Sequence, residues 1–144
     1  MSITITLKQS GYDLSRLPED VREKLVPTMI QFCADYAHKE MTRAAPRGRT
    51  GDLKASIVKE VSALEAFIGS RLSYAPHVEY GTRPHEIRPV RARALRFTIE
   101  SQVVFAMRVQ HPGTRAQPFV RETGMKLVNR VSELWSKAFR EIVG

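Results

Sequence analysis

Cysteine is almost missing from this 144-residue chain. Cys33 stands alone, so no intrachain disulfide can form; that fits a reducing compartment. The motifs of several chemistries are missing too. There is no HExxH zinc helix, no GxxxxGK[ST] phosphate loop and no GxSxG nucleophile elbow. His77-x-Glu79 has the opening spacing of a zinc deaminase motif, but the PCxxC pair that must follow is absent. No window reaches the ~18 apolar residues of a membrane span. Met1–Thr6 lacks the basic start and apolar run of a signal peptide. The expectation is a soluble cytoplasmic protein with no catalytic residue, no metal, no cofactor and no membrane partner.

Acidic residues are also scarce. Asp and Glu number 15 against 23 Lys and Arg, which gives a net charge of +8 and a pI near 10.1. Such an excess favours acidic partners, whether nucleic acid, anionic lipid or an acidic protein surface. The length suits one compact domain, 1–144, and allows a self-sufficient core.

Apolar periodicity marks the elements. Ile3, Ile5 and Leu7 alternate with polar residues as in a short strand, which Gly11 and Asp13 end. Pro18, Glu19 and Asp20 suit the start of a long helix. Val21, Leu25, Met29, Phe32 and Tyr36 form its apolar stripe, with Cys33 as a small buried hydrophobe. Pro27 should kink or split that helix, and Ala45-Pro46 ends it. Leu53, Ala55, Ile57 and Val61 read as one strand, then Ser62-Ala63 as a turn and Ala66 to Gly69 as a second strand. Leu95, Phe97 and Ile99 alternate, and so do Val103, Phe105, Met107 and Val109, around a turn at Glu100-Ser101. That alternation places Phe97 in the core. Pro118 opens a C-terminal helix with a stripe through Val120, Leu127, Val131, Leu134, Ala138 and Ile142. The expected fold is α+β: an antiparallel sheet of about four to five strands, with the long N-terminal helix and the C-terminal helix packed on one face.

Two basic loops stand out. Arg47-Gly48-Arg49-Thr50-Gly51-Asp52 carries two glycines in six residues, with Arg47 and Arg49 as candidate contacts. The longer loop, 81–94, leads into a cluster in which Arg83, Arg88, Arg91, Arg93 and Arg96 fall within fourteen residues. Arginine's planar fork suits carboxylate and phosphate. Pro84 and Pro89 keep the segment extended. A solvated loop, a protein-docking loop and a phosphate-contacting loop all fit this composition.

Four segments carry a family resemblance. They are Ala45-Pro46 with Thr50-Gly51-Asp52-Leu53 and Ser56-Ile57; Tyr74-Ala75 with Val78-Glu79-Tyr80-Gly81-Thr82; Pro84-His85-Glu86-Ile87-Arg88-Pro89 leading to Leu95-Arg96-Phe97; and His111-Pro112-Gly113-Thr114 with Gln117-Pro118-Phe119. In this order and spacing the chain, from about residue 18 onward, resembles the small tail-completion or head–tail joining proteins of long-tailed double-stranded DNA phages and prophages. These are also described as minor tail or virion morphogenesis proteins. Pro76 and the arginine richness depart from the usual pattern. The resemblance implies a non-enzymatic structural subunit of the phage neck or tail. It would complete the tail and join it to the head as part of an oligomeric ring. Its partners would be copies of itself and other neck and tail proteins, with DNA in the neck lumen as a further contact. It would sit in the host cytoplasm during assembly and then in the virion neck or tail. Tyr74, Glu79, Gly81, Thr82, His111, Pro112, Gly113, Pro118 and Phe119 would then be structural, with Gly81 and Gly113 at positive φ or at close backbone approaches. A basic nucleic-acid-binding module stays open as the second reading.

Overall fold

A computed structural model describes residues 1–6, 16 and 18–144. Leu7, Gly11 and Asp13, which the strand reading used, lie outside the described residues. In chain order the elements are β1 (Ser2–Thr6), α1 (Glu19–Ala44), α2 (Asp52–Ala55), β2 (Ile57–Val61), β3 (Glu65–Ser70), α3 (Ala75–Tyr80), β4 (His85–Ile87), β5 (Leu95–Ile99), β6 (Gln102–Ala106), β7 (Val109–His111) and α4 (Phe119–Val143).

The fold is α+β, as expected, but its strands divide into three small antiparallel groups: β1-β3-β2, β4-β7 and β5-β6. In the first, Ile68 and Ala66 of β3 are buried beneath α1, which also lies against α4. Period-two alternation reports which residues share a face, not which strands pair, so it could not separate the groups.

α1 begins after Pro18, with Glu19 and Asp20 in its first turn and Arg43 in its last, each in the sense its dipole favours. Of the two expected outcomes at Pro27, a kink or a split, the split does not occur: α1 is one helix with Pro27 inside it. Glu23, whose carbonyl loses its partner to the proline, is exposed, so water can take that bond. The buried seam runs through Leu25, Met29, Ile30, Cys33, Ala34, Ala37 and Met41. Val21, Phe32 and Tyr36 are partly buried on its flank. Alanines in the seam allow close approach to neighbouring elements, whereas the bulk of Phe32 and Tyr36 suits the margin. There the Lys137 ammonium lies 4.6 Å from the Phe32 ring centroid, a cation–π contact. Cys33 is a core thiol, and burial pushes its pKa up.

Leu53 and Ala55 lie in α2, not in the expected strand. Gly51, at φ 81, turns the chain into that short helix, and the Ser56 hydroxyl donates to the Leu53 carbonyl at 2.8 Å. The hairpin at Glu100-Ser101 is as expected, with both turn residues at positive φ, 48° and 72°. Two consecutive left-handed residues match the twist of a tight type I′ hairpin. Phe97 is only half-buried and lies outside the core. Its alternating partners belong to a ladder that, among the described residues, no helix packs closely against.

A buried carboxylate helps tie α1 to α4. Glu40, 8% exposed, accepts from Lys126 Nζ at 3.1 Å and from Arg43 Nη1 at 3.2 Å. The hydrogen bond from Lys126, with the charge of Arg43 beside it, holds the Glu40 carboxyl below its ordinary value of 4.5. A depressed folded-state pKa stabilises the fold above the unfolded value and loses that effect as pH falls through the folded one. Glu40→Gln should therefore lower unfolding free energy by about 1 kcal/mol near neutral pH. The gap to the parent chain should close as pH falls below about 4. Urea titrations of both chains across that range read the effect directly.

Candidate interaction site

Two of the segments that carry the resemblance meet in one place. The segment around α3 and the segment before α4 run side by side and exchange backbone bonds. Thr82 N donates to Thr114 O at 3.0 Å, Thr114 N to Thr82 O at 3.1 Å, and Gln117 N to Val78 O at 2.8 Å. The Thr82 and Thr114 hydroxyls lie 3.1 Å apart.

Two glycines make this approach feasible. Gly81 caps α3 at φ 71 and ψ −178. A Cβ there would stand 2.4 Å from the Thr114 carbonyl oxygen. Gly113 has φ 86, and its Cβ would stand 2.2 Å from the Thr82 carbonyl oxygen. Both expected conditions, positive φ and close approach, hold at both positions.

Glu79 is the polar centre of the junction. It is 3% exposed. Its Oε2 accepts from Val120 N at 2.9 Å, and its Oε1 from Arg121 N at 3.0 Å. A carboxylate thus satisfies two orphan donors at the positive end of α4. Pro118, the residue at the cap position, makes no side-chain cap bond. Phe119, the first residue of α4 and 1% exposed, belongs to the core. Sequence reasoning grouped Glu79 with Phe119 by resemblance but did not foresee the cap. The signal was there: a helix opening at Pro118 with no Ser, Thr, Asp or Asn in the capping position needs an acceptor for its orphan N–H groups from elsewhere.

The histidines and second-loop arginines fall around this junction. His85 and His111 face each other across β4-β7 with ring centroids 5.0 Å apart. Gly113 N donates to His111 Nδ1 at 3.0 Å. His77 is exposed, and Pro112 is exposed beside Gly113. Arg47 and Arg49 border a cleft of about 280 Å³ that Leu53, Tyr74, Val78 and Gln117 also line. Tyr74, 41% exposed, is the aromatic wall of that cleft.

The five arginines of the long loop, Arg83, Arg88, Arg91, Arg93 and Arg96, all face solvent. Among the described residues only Arg88 of the five pairs with a carboxylate, that of Glu86. The loop is also less irregular than its composition predicts. The Thr82–Thr114 bridge and β4 lie inside residues 81–94 and pair with the returning chain. Both strands of the β4-β7 ladder have three residues, too few for a periodic signal. Among the described residues no helix is long and apolar enough to cross a membrane.

Residues 11–81, just under half of the chain, match the family model described as "Bacteriophage HK97-gp10, putative tail-component". The match takes in α1, the Arg47–Asp52 loop, Tyr74, Glu79 and Gly81, and stops where the paired segment after α3 begins. Comparison with curated proteins and with solved structures found no match. The resemblance carried by the four sequence segments and the family model agree: over residues 11–81 the chain is similar to the HK97-gp10-like family of phage tail components.

Proposed function

We propose that this chain is a structural, non-enzymatic subunit of the phage neck or tail end, which completes the tail and joins it to the head as one member of an oligomeric ring. It works as a single domain, 1–144, with its neighbours being copies of itself and other neck and tail proteins. The observation that carries this reading is the tail-component match over residues 11–81. The exposed arginine segment supports it, since a projecting basic surface suits docking. The protein would gather in the host cytoplasm and end in the virion neck or tail.

Deleting the gene from its phage or prophage, inducing, and imaging the lysate tests the proposal. Filled heads lying apart from tails, or tails with aberrant ends, are the expected result. Intact infectious particles would sink it. The second reading, a nucleic-acid-binding module, is favoured by one observation: Arg83, Arg91, Arg93 and Arg96 are exposed and form no ion pair among the described residues. On that reading DNA affinity falls with salt, with a log–log slope near −0.9 per phosphate contacted.

A further inference from the structure

Residues 82–114 form an arm. They leave the body at the Thr82–Thr114 bridge and return there. The apolar residues that build or border the core stop at Val78 and resume at Phe119. Nothing between them contributes to it.

The arm is nevertheless apolar. Met107 is 72% exposed, Phe105 66% and Val103 47%. Register places Arg96 opposite Phe105 and Thr98 opposite Val103. These four therefore share one face of the β5-β6 ladder. Leu95, Phe97 and Ile99 lie on the other face. A two-stranded ladder with no covering layer is marginal in water, and a contiguous exposed apolar patch marks a contact surface. The arm also carries six arginines against Glu86 and Glu100, a net charge of +4. Its partner must offer apolar surface edged with carboxylates.

The body of the same chain has such a surface. Where β2 turns into β3 lies a cleft of about 440 Å³ lined by Thr4, Val61 and Phe67, with Glu60 and Glu65 at its edge and the Arg71 guanidinium 5.7 Å from the Phe67 ring centroid. Glu60 holds Arg71 at 2.6 Å, while Glu65 has no cation partner among the described residues. No arm residue lines this cleft. The flanking strands β1 and β2 are both sheet edges.

We propose that the arm of one copy docks into this cleft on a second copy. Val103 and Phe105 cover Val61 and Phe67, and Arg96 meets Glu65. The arm and the cleft are different surfaces, so each copy gives one contact and receives another. Such head-to-tail association closes into a ring or runs on as a chain. This inference rests on the ring reading of the function and names the surfaces that would form it.

Purified chains in sedimentation equilibrium, up to about 1 mM, test it. The parent chain should associate with rising concentration. Phe105→Asp, Glu65→Arg and Arg96→Glu each change an exposed residue and should leave the circular dichroism spectrum unaltered. Each alone should weaken association by about tenfold or more. An equimolar mixture of the Glu65→Arg and Arg96→Glu chains should recover it, because every arm then meets a cleft of opposite charge. A parent chain that stays monomeric throughout, association indifferent to all three changes, or a mixture that fails to recover overturns the proposal. DNA binding by the arm without self-association overturns it too. Defective tails after gene deletion with no such self-association would remove the arm contact and leave the tail function standing. Self-association with intact particles would do the reverse.

Discussion

Glu79→Ala should lower the unfolding free energy by about 3–4 kcal/mol, the largest effect expected of any single polar side chain in the protein. The carboxylate is 3% exposed and accepts from both Val120 N and Arg121 N. Alanine would leave two donors without partners in a space that water reaches poorly. It would also remove the negative charge from the positive end of a 25-residue helix. Glu79→Gln is the informative companion. Its amide oxygen can still accept one bond, but the charge is gone and the amide nitrogen faces a second donor. Its loss should fall between zero and that of alanine. Urea unfolding of the three chains checks the order. If Glu79→Ala unfolds at the parent's midpoint, the capping role is wrong.

Gly81→Val ranks with it. At φ 71 and ψ −178 the backbone lies in a region that only glycine occupies readily; a side chain there costs about 1–3 kcal/mol in strain alone. The Cβ would also meet the Thr114 carbonyl oxygen at 2.4 Å and Ala116 N at 2.7 Å. Both atoms are backbone, so no side-chain rotation relieves the clash. We expect a total loss of about 3 kcal/mol or more. Gly113→Val should behave alike, since its Cβ would meet Thr82 O at 2.2 Å. Gly48→Ala supplies the contrast. It has φ 59 but no atom within 4 Å of the added carbon, so the loss should stay near 1 kcal/mol. Thermal melts of the four chains separate crowding from backbone strain. Equal losses at Gly48 and Gly81 would show that the close approach contributes nothing.

The long elements were legible from their periods. α1 and α4 each run for about seven turns, so a misplaced residue hardly blurs the stripe. The β5-β6 hairpin was equally plain, since five residues alternate on each side of its turn. What the pattern hid were short elements and long-range choices. β4, β7 and α2 span three or four residues, less than a period count needs. Phe97 alternated as a core residue would, yet among the described residues no helix packs closely against its ladder. Alternation is the same for a strand facing a core and for one facing a partner. The resemblance singled out Glu79, Gly81, Gly113 and Phe119 as structural residues but did not place them side by side. The carboxylate's role depended on a helix 40 residues further along, which no local pattern encodes. The arginines of the long loop were visible as a cluster in sequence, but their partners were not, and Arg88 alone of the five pairs with a carboxylate among the described residues.

The chain enters and leaves residues 83–113 through a single doorway, the paired Thr82 and Thr114. Everything beyond that doorway can lengthen, shorten or be exchanged for another hairpin without disturbing a single side chain of the core. Natural variation should therefore be freest there in length as well as in residue type, and strictest at the doorposts. The same arrangement offers a ready insertion point: a peptide or reporter joined at the Glu100-Ser101 tip would ride outside the folded body, and its effect on particle assembly would report on the arm alone.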